Sequence, residues 1–133
     1  MQSYHAAAWL DHLQARIFFF DQQDASEADT LRTTLPHHQI HNKAGSIDGK
    51  KNPADQRFYD EITGHLKPAM EWLILGPGSA HDELAAHIRS CHPQLAGRIV
   101  GVATVDHPTD NQIVAHARSF FRAADRMLRF EPR

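Results

Sequence analysis

The chain has 133 residues, of which 41% are hydrophobic and 23% charged, and its formal net charge is −2. This composition is typical of one globular domain with its own core and excludes a disordered chain. The weak negative charge means that any surface for nucleic acid must be local. Cys91 is the only cysteine, which favours a reducing, cytoplasmic setting. No basic segment precedes the first apolar run, and Asp11 ends that run early, so we expect neither a signal peptide nor contact with a membrane.

Three strands are expected in the first part of the chain. Residues 6–10 and 15–20 are apolar runs separated by a short polar break, which predicts a β-hairpin. Residues 30–35 alternate and are rich in β-branched side chains, which predicts a third strand that ends at Pro36. The acidic segment 21–29 between them is interpreted as a turn.

Helices and strands alternate in the rest of the chain. The expected caps of the three helices are Asn52, Ser79 and Thr109, and Pro53 suits the first helical position. The two strands are continuous apolar runs, which is typical of buried parallel strands. The predicted elements are helix 53–67, strand 72–75, helix 80–92, strand 98–105 and a final helix after residue 109.

The element order β-β-β-α-β-α-β-α predicts an α/β fold in a single domain, residues 1–133. Strand–helix–strand connections are right-handed and make the joined strands parallel. We therefore expect a ribonuclease-H-like mixed five-stranded sheet of order 3-2-1-4-5, with strands one to three antiparallel and helices on both faces. The helices show no apolar stripe beyond their core faces, which favours a monomer.

Ligands of such sheets bind beyond the carboxyl ends of the parallel strands. Asp11, Asp106 and His107 come at these ends, and His12 follows Asp11. Converging carboxylates could hold divalent ions for a metal-dependent nuclease or hydrolase. The alternative is structural, with Asp11 making the hairpin turn and Asp106 placed in a loop. The nuclease set is incomplete, because the fourth strand ends in Gly76, although the first helix offers an acidic pair, Asp60 and Glu61.

Two further features could bind ligands. The turn at residues 76–79 precedes a helix and could bind a phosphate, but it lacks the lysine of a P-loop and also suits a plain strand-to-helix turn. His37, His38 and His41 could bind a transition metal. No cysteine accompanies them and their spacing matches no zinc signature, so exposed loop histidines are the alternative. No cofactor is expected.

Basic side chains form two groups that could contact a phosphate backbone. The final helix carries arginines at spacings that place them along one stripe. For either group, an ordinary solvated surface is the alternative. The candidate RNA-binding residues are His41, Lys43, Lys50, Lys51 and Arg57 in the long loop and first helix, and Arg118, Arg122 and Arg126 in the final helix.

Several segments resemble a known family. They are the first hairpin (residues 6–18), the basic loop (41–46), the turn 73–78 and the segment Val105-Asp106-His107-Pro108-Thr109-Asp110. They resemble a group of short bacterial proteins described as translational machinery proteins. That group is similar to the central domain of archaeo-eukaryotic peptide-chain release factors and Pelota.

The resemblance implies a domain that binds the ribosome, tRNA or rRNA. Release factors of this type act through a Gly-Gly-Gln loop between the third strand and the first helix. Here that loop has separated glycines, Gly45 and Gly49, and no Gly-Gly pair occurs in the chain. The resemblance therefore implies binding without peptidyl-tRNA hydrolysis and a protein that is not an enzyme, as in Pelota, which also lacks the tripeptide.

Overall fold

The structure is a computed structural model that describes residues 5–20, 31–36 and 53–130, without the side chains of residues 31–33, 35, 53 and 124–130. The acidic segment 21–29 and the loop 37–52 lie outside the described residues. The elements are β1 (His5–Leu10), β2 (Gln14–Phe20), β3 (Leu31–Pro36), α1 (Pro53–Leu66), β4 (Glu71–Gly76), α2 (Ala80–Cys91), a 3₁₀ helix (Pro93–Arg98), β5 (Ile99–Thr104) and α3 (Asp110–Phe130).

A mixed sheet forms the centre of the fold, and the strand order across it is β3-β2-β1-β4-β5. β1 and β2 form an antiparallel hairpin, and β3 pairs antiparallel with β2. β4 lies parallel to β1, and β5 lies parallel to β4. The predicted mixed α/β class is confirmed.

The sheet separates two hydrophobic clusters. On one face α1, α2 and the 3₁₀ helix bury an apolar layer around Trp72, Ile74 and Ile62. On the other face α3 packs Ile113 and its neighbours against β1, β2 and β4. Phe58, Ile62 and Leu66 follow at intervals of four on α1 and are all buried, so they form the apolar stripe that packs this helix on the sheet.

Close packing explains why glycine stands at positions 76 and 101. A Cβ on Gly76 would lie 2.3 Å from the carbonyl oxygen of Leu10 on β1, so only glycine lets these strands approach there. A Cβ on Gly101 in β5 would lie 2.6 Å from the Phe120 ring of α3, because that ring packs directly against the strand at this point.

Three local expectations need correction. The fifth strand was expected to be buried, but β5 is the edge strand and is mostly half-buried, with Val100 exposed. The sequence did not predict the 3₁₀ helix that Pro93 begins. Ser79 makes no side-chain cap on α2, because its hydroxyl donates to Glu83 instead.

Thr109 does cap the final helix. The Gln112 amide donates to the Thr109 hydroxyl at 3.2 Å, and the Thr109 amide donates to the Gln112 side chain at 2.9 Å. This reciprocal pair is a capping box.

Among the described residues, no helix is both long and apolar enough to cross a bilayer.

Candidate functional site

The loops that follow β1, β4 and β5 meet at the carboxyl edge of the parallel strands. The Val105 amide donates to the Gly76 carbonyl at 2.8 Å and joins the ends of β5 and β4. The Trp9 indole donates to the Asp106 carbonyl at 2.9 Å and joins β1 to the same loop. These bonds bring the candidate residues of separate strands to one edge.

Arg16 on β2 fixes the start of α3 against this edge. Its guanidinium bonds the Asp110 carboxylate at 2.6 Å and donates to the Pro108 carbonyl at 3.1 Å. The guanidinium also lies over the Trp9 ring, 4.5 Å from its centroid. Charge, a backbone acceptor and an aromatic face together hold Arg16, which therefore acts as a structural clamp.

Asp11, Asp106 and His107 lie together, as the alternative nuclease interpretation requires. His107 Nδ1 is 3.0 Å from the Asp106 carboxylate, and His107 Nε2 is 3.8 Å from that of Asp11. The Asp106 side chain is 96% exposed. Asp11 also makes the hairpin turn, because one of its oxygens accepts the amides of Leu13 and Gln14 at 2.8 and 3.0 Å. Asp11 therefore also has the structural role predicted for it, since it stabilises the turn of the β1–β2 hairpin.

The electrostatics of this edge are unfavourable for phosphate. Asp11, Asp106 and Asp110 contribute three negative charges and Arg16 contributes one positive charge, a sum of −2 for these four residues. An anionic backbone would be repelled here unless cations were bound.

The turn at residues 77–79 has acidic rather than anion-binding surroundings. Asp82 and Glu83 occupy the first turn of α2, where their charges already interact with the helix dipole. Glu83 accepts hydrogen bonds from the Tyr59 and Ser79 hydroxyls at 2.6 and 3.1 Å, and His12 lies 3.5 Å away. The geometry favours a plain strand-to-helix turn over a phosphate site.

Burial and hydrogen bonding set the pKa values of Glu83 and Tyr59. Burial by itself raises the pKa of Glu83, but the bonds from Tyr59 and Ser79 outweigh it and the pKa is lowered overall. Burial and the bond to Glu83 raise the pKa of Tyr59 far above its ordinary value. At neutral pH the Tyr59 phenol therefore keeps its proton and donates a hydrogen bond to the ionised Glu83 carboxylate.

Asp60 does not join the strand edge. It lies instead between His87 and His92, whose Nε2 atoms are 2.7 and 2.8 Å from the same carboxylate oxygen. At about 1.5 Å per helical residue, His87 is roughly 12 Å along α2 from Ser79. The expectation that Asp60 could complete a nuclease set is therefore wrong.

Sequence reasoning did not identify the buried histidines of α2. His81 and His87 are almost fully buried, and the Nδ1 atom of each has no hydrogen-bond partner among the described residues. His81 Nε2 lies 3.2 Å from the Thr104 hydroxyl. The available signal was helical spacing, because His81, Leu84 and Ile88 follow at intervals of three and four on the inner face.

The basic candidates are spread over both faces of the sheet. Arg57 is exposed on α1, whereas Arg118 is half-buried and Arg122 exposed on α3, which packs on the opposite face. Arg126 lies in α3, but its side chain is outside the described part. The candidates in the loop, His37, His38, His41, Lys43, Lys50 and Lys51, lie outside the described residues.

No protein-family model matches the chain, and no curated protein matches it. Solved structures do. Pelota of Thermoplasma acidophilum superposes with a TM-score of 0.55 at 23% identity, over 86% of this chain and 31% of that one. S. cerevisiae Dom34 gives 0.51 at 12% identity, over 95% and 40%. The archaeal translation termination factor aRF1 gives 0.52 at 12% identity, over 93% and 40%.

The chain spans between about a third and two fifths of the length of these proteins. At such low identity the likeness concerns the fold. The resemblance to Pelota and the release factors is confirmed at that level, whereas the link to the bacterial group stays a prediction. The chain has the fold of one part of Pelota, Dom34 and aRF1.

Proposed function

We propose that this chain is a cytoplasmic, monomeric, translation-associated domain that binds the ribosome, tRNA or rRNA. The observation that carries the proposal is the likeness of nearly the whole chain to one part of Pelota, Dom34 and aRF1. Dom34 is described as a translation termination-like factor involved in RNA quality control, and aRF1 as a termination factor. The ribonuclease-H-like arrangement of the whole single domain, residues 1–133, is part of the same proposal.

Peptide release is not part of the proposal. The 133 residues contain no two consecutive glycines, so they contain no Gly-Gly-Gln tripeptide in any loop. The domain would bind without hydrolysing peptidyl-tRNA.

Charge indicates which surfaces would contact RNA. The strand edge sums to −2, which disfavours phosphate. Residues 111–130 of α3 carry four arginines and one aspartate, a sum of +3. The loop with its flanking helix, residues 37–57, would be the main contact through Lys43, Lys50, Lys51, Arg57 and His41, and Arg118, Arg122 and Arg126 would form a secondary surface.

Sedimentation of tag-free protein with ribosomes over sucrose gradients tests the proposal. We expect co-migration at low salt that fades as salt rises, because binding releases counterions. Lys50→Glu with Lys51→Glu should weaken it, and each phosphate contact removed should lower the salt slope by about 0.7–0.9. Lys67→Glu, which makes one such charge reversal at an exposed site outside both surfaces, is the control for each single change, Lys50→Glu and Lys51→Glu. Protein that stays at the top of the gradient at every salt would contradict the proposal.

A second candidate function is a divalent-ion-dependent nuclease or hydrolase at the strand edge. It is favoured by the position of His107 between Asp11 and the exposed Asp106 carboxylate. Such an enzyme should cleave RNA or DNA only with added Mg²⁺ or Mn²⁺, and Asp106→Asn should abolish cleavage. Because Asp106 is exposed, this change should leave the urea midpoint unchanged, which separates chemistry from folding. Equal activity of the variant would exclude this candidate.

A further inference from the structure

A second cluster of polar side chains lies on the α1–α2 face of the sheet, away from the strand edge. Asp60 comes from the middle of α1, His87 from the last turns of α2, and His92 caps the end of α2. One potential ligand atom from each residue lies within 4.8 Å of the other two. Among the described residues, this is the group of three whose ligand atoms converge closely enough to hold a metal ion.

We propose that Asp60, His87 and His92 bind a divalent first-row transition metal ion such as Zn²⁺. Two imidazoles and one carboxylate form a nitrogen and oxygen donor set that suits these ions. Three protein ligands leave further coordination positions to water. The bound ion would link α1 to the end of α2.

Two of the three separations between the ligand atoms require only a small adjustment. The two imidazole Nε2 atoms lie 2.7 and 2.8 Å from the Asp60 oxygen. Neighbouring ligand atoms in a tetrahedral site with bonds of about 2.0–2.1 Å are roughly 3.3 Å apart. Each separation therefore needs to open by about half an ångström, which rotation of the exposed Asp60 side chain can supply.

Backbone and packing hold the ligands in place. His87 is buried beside the Tyr59 ring, so its orientation is fixed. The His92 amide donates to the Ile88 carbonyl at 2.8 Å, which fixes His92 at the helix end. Asp60 and His92 remain partly exposed, so an ion can enter from solvent.

The hydrogen-bond pattern leaves His87 able to change from donor to ligand. Without an ion, both imidazoles donate to one carboxylate oxygen. The buried Nδ1 of His87 has no hydrogen-bond partner among the described residues, so no second bond locks the proton onto Nε2. When an ion binds, each neutral imidazole carries its proton on Nδ1 in place of Nε2, so the ion takes the position between the three ligand atoms that the two protons held.

The test is calorimetric titration of tag-free protein with Zn²⁺, and with Co²⁺ followed by its visible absorption. Cys91→Ser serves as the background, because the exposed Cys91 thiol could bind zinc by itself. We expect one equivalent of metal. Asp60→Asn and His92→Gln should each weaken binding at least tenfold and remove the Co²⁺ bands. Zn²⁺ should raise the melting temperature of the background protein but not of these variants.

Two controls separate this site from other histidines. His116→Gln changes an exposed histidine on α3, and a combined change of His37, His38 and His41 to glutamine removes the loop histidines. Both should bind metal as the background protein does. Binding that survives Asp60→Asn and His92→Gln, or that disappears only with the loop change, would overturn the proposal. Urea midpoints measured in chelator verify that Asp60→Asn and His92→Gln remain folded.

Discussion

Gly76→Ala should destabilise the domain because of packing alone. The new Cβ would lie 2.3 Å from the Leu10 carbonyl oxygen and 2.9 Å from the His81 ring. Since the nearest atom belongs to the backbone of β1, β4 and β1 must separate by about 1 Å at this point. Overpacking costs about 1–3 kcal/mol, and we expect the upper part of that range.

Urea unfolding at neutral pH provides the measurement. With a slope of about 2 kcal/mol per molar, a loss of 2–3 kcal/mol lowers the midpoint by roughly 1–1.5 M. Gly64→Ala and Gly78→Ala are matched controls, because a Cβ at either position meets nothing within 4 Å. Gly64 is exposed in α1, so its change should stabilise the protein by about 1 kcal/mol. A Gly76→Ala midpoint equal to that of the wild type would refute this reasoning.

Three further changes test other contacts. Tyr59→Phe removes a hydrogen bond to the half-exposed Glu83 and should cost about 1 kcal/mol at pH 7. Because the pKa of Glu83 is lowered in the folded state, this advantage exists above the ordinary pKa and is lost as pH falls through the lowered value. Urea midpoints of the two proteins should therefore converge as the pH is lowered below the ordinary carboxyl pKa and through the lowered value of Glu83, and a constant difference would contradict the assignment. Thr109→Ala should cost about 1 kcal/mol while Thr109→Ser costs little, both measured by thermal unfolding. Arg16→Lys cannot keep both bonds to the start of α3, including that to Asp110, so the free energy of unfolding should fall by about 1–2 kcal/mol although the charge is kept. An unchanged urea midpoint would argue against the clamp.

Local signals explain what the sequence could predict. Strand and helix positions follow from apolar periodicity, and Thr109 was recognisable as a cap because its hydroxyl and Gln112 stand three residues apart. Ser79 carried the same signal, but Glu83 one turn later competes for its hydroxyl. Burial of β5 was overestimated because an apolar run does not reveal whether a strand is central or at the edge.

Tertiary contacts explain what the sequence could not predict. The meeting of Asp11 with His107 followed from the rule that parallel strands end at one edge. The cluster of Asp60 with His87 and His92 depends on how α1 packs against α2, and no sequence spacing encodes that crossing. The role of Arg16 was equally hidden, because its hydrogen-bond partners lie more than 90 residues away.

The bonds from Trp9 and Arg16 to the loop before α3 have a consequence for folding kinetics. They join residues that are 92 to 97 positions apart, so each of these bonds closes a long loop of the chain. Closing such loops costs chain entropy before any contact compensates for it. The hairpin and the α1–α2 layer can form from nearer segments, whereas docking of α3 must wait until both distant segments are in place. Weakening these bonds should therefore act mainly on the unfolding rate, since they form late.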